Sequence, residues 1–228
     1  MKIAFLGTNG WYSTKTGNTV CVFIETKDYF IVFDAGDGLY KLDRYVGNRN
    51  EKPLYLFITH AHLDHIIGLH TLAKFKVHQG IRIYGPVGIK ETLNAIVNIP
   101  FTVPFAKLPF EVAIHELSEG NHEIPFPVAC RTLFHPVPCF GYRLELDGKT
   151  IVYCTDTGMC ENAIQLARTA DLLITECSFK SDKGDGAWPH LNPEEAAQIA
   201  KEANVQQLAL LHFDASLYTT MAERERAR

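Results

Sequence analysis

The stretch Thr59-His60-Ala61-His62-Leu63-Asp64-His65 decides how this chain is read. It follows Pro53-Leu54-Tyr55-Leu56-Phe57-Ile58, an apolar run that reads as a short buried strand. Beyond it, Ile66-Ile67-Gly68-Leu69-His70-Thr71-Leu72 shifts towards helical spacing, and the pattern predicts a helix to about Phe75. Held extended from His60 to Asp64, the segment projects His60, His62 and Asp64 to one side, because side chains alternate along extended chain. His65 then enters at the start of the helix. Neutral imidazole suits zinc, copper, iron and nickel, and a carboxylate adds a harder oxygen ligand. A polar turn has no packing reason to collect four such groups, so the segment reads as a metal-binding turn between strand and helix.

Working outward, the 228 residues fit one domain, residues 1–228, and 46% hydrophobic content supports a substantial core. The formal net charge of -4 gives no global basic footprint for nucleic acid, although a local basic patch stays open. No apolar run reaches the length of a membrane span. The apolar part of Met1-Lys2-Ile3-Ala4-Phe5-Leu6-Gly7 is too short for a signal peptide and runs straight into a turn. The six cysteines contain no C-x-x-C pair and sit mostly in strand-like runs, so the chain is expected in a reducing, cytoplasmic setting. No cysteine is singled out as a nucleophile.

Upstream of the histidine turn, residues 19–25 and 29–33 form a hairpin pattern that ends at Asp34-Ala35-Gly36-Asp37-Gly38. Asp34 reads most simply as a turn aspartate, and its place at a strand end also suits a role orienting a metal ligand. Downstream, residues 81–86 read as strand and turn and 88–97 as helix. Residues 99–110 carry three prolines among Phe101, Phe105 and Phe110, a loop that either covers a site or packs over the core edge. A strand is expected at 112–117, and Pro125-Phe126-Pro127 is expected to break the chain before another at 128–134. Asp147-Gly148 predicts a tight hairpin turn. A helix is predicted over 161–168, strands over 171–177 and 207–211, and a charged helix over 218–228. Asn192-Pro193-Glu194-Glu195 carries the marks of a capped helix start.

Strand ends therefore carry His60, His135, Asp156, Glu176 and His212. Each is weak alone; a lone histidine is more often a satisfied or exposed side chain than a ligand. Together they match the ligand count of a two-metal site. His60, His62 and His135 can form one three-histidine set, Asp64, His65 and His212 a second, with Asp156 bridging. His70, His78, His115 and His122 have no partner pattern and read as ordinary histidines.

At this point the chain resembles the metallo-β-lactamase superfamily, whose H-x-H-x-D-H stands complete at residues 60–65. The resemblance extends to His135, to Asp156 in Thr-Asp-Thr-Gly and to His212 in Leu-Leu-His-Phe. It implies an α/β fold, an αββα sandwich of two mixed sheets with helices on both outer faces, holding a dinuclear metal site. Within the superfamily the chain looks most like the ribonuclease Z and cyclic phosphodiesterase branch. The features that carry this are the turn Phe5-Leu6-Gly7-Thr8-Asn9-Gly10, the acidic turn at Asp34, Thr175-Glu176-Cys177-Ser178 and His190-Leu191-Asn192. Thr175 departs from that branch, which places a histidine there. By resemblance Glu176 and His190 form a pair in which His190 donates to phosphate or to the leaving oxygen. The branch's ribonucleases grip transfer RNA with an extended Gly/Pro-rich arm, and no insertion of that length or basic composition is present here.

The expectation is a metal-dependent phosphodiesterase using a hydroxide held by two divalent metal ions. Zinc is the default, with manganese or iron compatible with the aspartates. Its catalytic residues are Asp64, Glu176 and His190, and its substrate is a cyclic phosphate or nucleotide, or a nucleic-acid end. The alternative is a hydrolase of carboxylic esters, lactones or thioesters on the same metals, for which the Glu176 and His190 pair has no specific use. The resemblance further implies a homodimer without a membrane partner.

Overall fold

The computed structural model describes residues 1–47, 52–184 and 188–227. In chain order the strands begin with β1 (Lys2–Gly7), β2 (Asn9–Gly10), β3 (Cys21–Glu25), β4 (Phe30–Phe33), β5 (Leu54–Phe57), β6 (Ile81–Pro86) and β7 (Val112–Leu117). They continue as β8 (Gly120–Ile124), β9 (Phe126–Thr132), β10 (Phe140–Leu146), β11 (Lys149–Cys154), β12 (Leu172–Glu176), β13 (Leu208–Leu211) and β14 (Phe213–Asp214). The α-helices are α1 (Asp43–Val46), α2 (Leu63–Ile66), α3 (Ile89–Ile96), α4 (Glu161–Ala167), α5 (Pro193–Glu202) and α6 (Met221–Glu225). The chain divides into two compact units, one of residues 1–8 and 17–117, the other of residues 9–16 and 118–228.

The first unit holds a six-stranded mixed sheet in the order β1-β3-β4-β5-β6-β7. Its first three strands run antiparallel, and β4 to β7 are parallel. Phe23, Phe30, Val32, Leu54, Leu56 and Ile83 line one face and pack with Leu39, Leu42, Leu69, Leu72 and Leu93 from the helical segments. The opposite face is equally buried at Val22, Ile24, Ile31, Phe33 and Phe57. That double burial explains why these strands read as continuous apolar runs rather than alternating ones.

The expected helix to Phe75 is instead the single α turn of α2 followed by a 3₁₀ helix, Ile67–Lys74. Gly68 is the physical reason. A Cβ there would lie 2.1 Å from the carbonyl oxygen of Gly36, and its N–H donates to Ala35 at 2.8 Å. The backbone is drawn against the acidic turn and leaves the α-helical ladder.

The second unit holds a six-stranded mixed sheet in the order β13-β12-β11-β10-β9-β8, and the small parallel pair β14-β2. Helices α4 and α5 press Ala163, Leu166, Ala167, Ala196 and Ile199 onto Val152, Cys154 and Leu173. Asp147 (φ 49) and Gly148 (φ 72) both take positive φ and join β10 to β11 by a two-residue turn, as expected. Two differences stand out. Residues 120–124 form strand β8, which no expected element covers, and β9 begins at Phe126 rather than after Pro127. Pro127 is tolerated because it lies outside the register with β10, which begins at Val128, and pairs with Glu123 of edge strand β8. The expected helix over 218–228 is confined to α6, capped by Thr220, and its predicted end at Arg228 lies outside the described residues.

Candidate functional site

In the first unit β4 and β5 are parallel, so their C-terminal ends emerge along one edge. Asp34 follows β4, and Thr59 and His60 follow β5. His62 caps α2 in extended conformation (φ -62, ψ 145), so Asp64 and His65 come from the first helical turn. The extended presentation of Asp64 expected above is therefore replaced by a helical one.

Asp34 is completely buried and takes positive φ (54). Its carboxylate accepts the Thr59 N–H at 2.8 Å and the Thr59 hydroxyl at 3.0 Å, and it lies 2.9 Å from His65 Nδ1. His65 is thus gripped through Nδ1, and its Nε2 faces Asp64 Oδ2 at 3.6 Å. His60 Nδ1 lies 3.1 Å from the Thr59 hydroxyl, and its ring sits 4.5 Å from His62 and 4.2 Å from His65. Four candidate ligands meet in this one unit, with a carboxylate behind His65 and a hydroxyl behind His60.

In the second unit β9 and β11 both run antiparallel to β10, and β12 and β13 run parallel to β11. All four C-terminal ends therefore share an edge. His135 lies just beyond β9, Asp156 beyond β11, Glu176 at the end of β12 and His212 beyond β13. Asp156 (φ 57) and His212 (φ 53) take positive φ like Asp34. Backbone held in that region by non-glycine residues gathers at functional sites.

His212 Nδ1 lies 2.8 Å from the Ser178 hydroxyl, and its Nε2 lies 3.0 Å from Asp156 Oδ1. Glu176 is completely buried. Its two oxygens lie 2.9 and 3.0 Å from His190 Nδ1, and it accepts the Thr157 N–H at 2.5 Å and the Leu191 N–H at 3.2 Å. Candidate ligand atoms of Asp156, His190 and His212 all lie within 4.8 Å of one another. Thr175, at the position of the branch's histidine, donates to the Cys154 carbonyl at 2.7 Å and stays inside the sheet.

The donor set fits divalent metal ions. Histidines anchored through one ring nitrogen by a carboxylate or hydroxyl, with the other directed at acidic oxygens, is the arrangement that metal sites use to fix tautomer and orientation. Two contributors have no role expected from the sequence: Thr59, whose hydroxyl links Asp34 to His60, and Ser178, which holds His212. A hydroxyl beside a strand-end ligand was the available signal.

The remaining histidines lie elsewhere. His70 Nδ1 lies 2.6 Å from the carbonyl of Ile67, His115 stacks on Tyr84 at 4.9 Å, and His122 Nε2 lies 2.9 Å from the carbonyl of Ser118. Burial pushes the Cys21 and Cys154 thiols well up, Cys177 to about 12 and Cys130 to about 11, which leaves these four poor thiolates at neutral pH. Among the described residues, no helix is long and apolar enough to cross a membrane.

Residues 29–213 match the family model of the beta-lactamase superfamily domain. A ribonuclease Z from Synechocystis sp. is 30% identical over 93% of this chain and 83% of its own length. That alignment runs over 274 positions, more than the 228 of the chain, so the relative carries segments with no counterpart here. The structure of human tRNase Z, short form, superposes with a TM-score of 0.78 at 26% identity, covering 96% of this chain and 94% of that one. The metallo-beta-lactamase fold protein YhfI from Bacillus subtilis gives a TM-score of 0.76 at 25% identity, covering 99% and 91%. The chain thus belongs to the beta-lactamase superfamily, in its ribonuclease Z branch, and is a metal-dependent, phosphodiesterase-like hydrolase with the metallo-β-lactamase α/β fold.

Proposed function

We propose that this enzyme hydrolyses phosphodiesters of nucleotides or nucleic-acid ends. Its divalent metal ions, zinc by default, are held by His60, His62, Asp64, His65, His135, Asp156 and His212. The observation that carries the reading is the Glu176–His190 pair, an imidazole 2.9 Å from a completely buried carboxylate and beside Asp156 and His212. A hydrolase of carboxylic esters has no specific need for such a donor, whereas a phosphodiester leaves as an alkoxide that must be protonated.

Bound divalent ions supply Lewis-acid polarisation of a phosphoryl oxygen and lower the pKa of water. Asp64 orients the attacking water. His190 transfers its proton to the leaving oxygen, and Glu176, held by the Thr157 and Leu191 amides, keeps the ring aimed and favours its charged form. The ribonuclease Z relatives support a nucleic-acid phosphodiester as substrate. The segments they carry without counterpart here support a smaller substrate than an intact transfer RNA. The same reading takes the protein as a cytoplasmic homodimer, which sedimentation equilibrium of the purified chain checks for assembly.

The donor role makes a graded prediction. His190→Ala should slow diesters with alkyl leaving groups by about 10²–10⁴-fold, the usual worth of general acid catalysis, and p-nitrophenyl diesters much less. Metal content should stay unchanged. Equal slowing of both substrates, or loss of metal, would remove His190 from the donor role and make it a ligand.

A further inference from the structure

Two large aromatic side chains of the second unit stand exposed on the segments that carry His135 and His190. Trp188 is 47% exposed and Phe134 58%. The Trp188 ring meets His135 edge-on at 6.1 Å and 73°, and lies 6.5 Å from the ring of His190. Phe134 directly precedes His135. Its N–H donates to the Thr157 hydroxyl at 3.2 Å, and its carbonyl accepts the Gly158 N–H at 3.0 Å. At Gly158 a Cβ would lie 2.8 Å from Phe134 Cδ1 and 3.1 Å from Pro189 Cβ. The two aromatic-bearing segments therefore close over a residue without a side chain. Neither ring is spent on the core; Trp188 flanks both His135 and His190, and Phe134 adjoins His135 in the chain. Every nucleobase has a π-face, and stacking one on an aromatic side chain strengthens binding by roughly fivefold to a hundredfold with little regard to base identity.

We propose that Trp188, with Phe134 beside it, is a specificity-determining platform that stacks on a nucleobase of the substrate. The enzyme thereby selects nucleotidyl phosphodiesters over small aliphatic ones. This rests on the phosphodiesterase reading above and narrows it to substrates that carry a base next to the reacting phosphate. The platform tolerates any of the bases.

The chain has two tryptophans, and Trp11 is 68% exposed. Trp11→Phe leaves Trp188 as the only emitter. Titrating this metal-loaded variant with adenosine 5′-monophosphate should quench its emission saturably, and ribose 5-phosphate should not; equal responses would overturn the platform. Kinetics then compare thymidine 5′-(p-nitrophenyl phosphate) with methyl p-nitrophenyl phosphate, which share a leaving group. Trp188→Ala should raise KM for the nucleoside ester about tenfold with kcat within about twofold, leave the methyl ester unchanged, and be rescued by Trp188→Phe. An equal effect on both esters, or an effect on kcat alone, would overturn the proposal while the phosphodiesterase reading stands. If the unmodified enzyme turns over neither ester, it is the phosphodiesterase reading that fails, and the quenching titration alone decides whether the platform exists.

Discussion

At the scale of residues, the first unit turns on Asp34. Its sequence context suggests a turn aspartate, yet its burial, positive φ and contacts with Thr59 and His65 make it the group that fixes a candidate ligand. Asp34→Asn should weaken metal affinity by about 10–100-fold, the usual cost of losing an outer-shell partner. Competition with a chromogenic chelator checks this, and unchanged affinity would reduce Asp34 to a turn residue. His60, His62, Asp64 and His65 were legible because they lie within six consecutive residues. Ser178 was not legible as a partner of His212: the two are 34 residues apart, and only the parallel pairing of β12 with β13 brings their strand ends together.

At the scale of elements, the strands and capped helices were readable because burial and local chemistry act within a few residues. Asn192 accepts the Glu195 N–H at 2.9 Å, and Glu195 returns a bond to the Asn192 N–H at 3.0 Å, closing the capping box that the motif announced. Asn192→Ala should cost about 1 kcal/mol in unfolding free energy by denaturant titration. Strand β8 was missed because residues 120–124, Gly-Asn-His-Glu-Ile, form a polar edge strand without an apolar face to betray it. The broken helix after His65 was missed because nothing local reveals that Gly68 must lie against the Gly36 carbonyl. Gly68→Ala should therefore destabilise the protein by about 1–3 kcal/mol, the range for overpacking, despite alanine's better helix propensity.

Helix α6 adds a pH-dependent element. The Lys180 ammonium, 2.8 Å away, is the main cause that lowers the Glu223 carboxyl from 4.5 to about 2, with Thr219 and Thr220 assisting. A depressed folded-state value means that the contribution is fully present above the ordinary carboxylate range and is lost as pH falls towards about 2. Glu223→Gln should lower Tm at pH 7, and the gap from the unmodified protein should close as the pH is taken from 4.5 to about 2. A gap independent of pH would remove the ion pair from the account.

At the scale of the whole molecule, the superfamily was legible because its motif residues, the candidate ligands, recur in order along the chain, from the histidine turn to His212. The ribonuclease Z relative aligned over 274 positions carries segments with no counterpart among the 228 residues of this chain, whose net charge is -4. The central claim is that bound divalent ions serve phosphodiester hydrolysis. The most direct test strips the protein with a chelator, reloads it in turn with zinc, manganese and iron, and measures turnover of bis-p-nitrophenyl phosphate, a p-nitrophenyl ester and a lactone. Diester cleavage that vanishes on stripping and returns on reloading is the predicted result. Ester or lactone turnover without diester cleavage, under every metal, would contradict it and leave Glu176 and His190 without a chemical role.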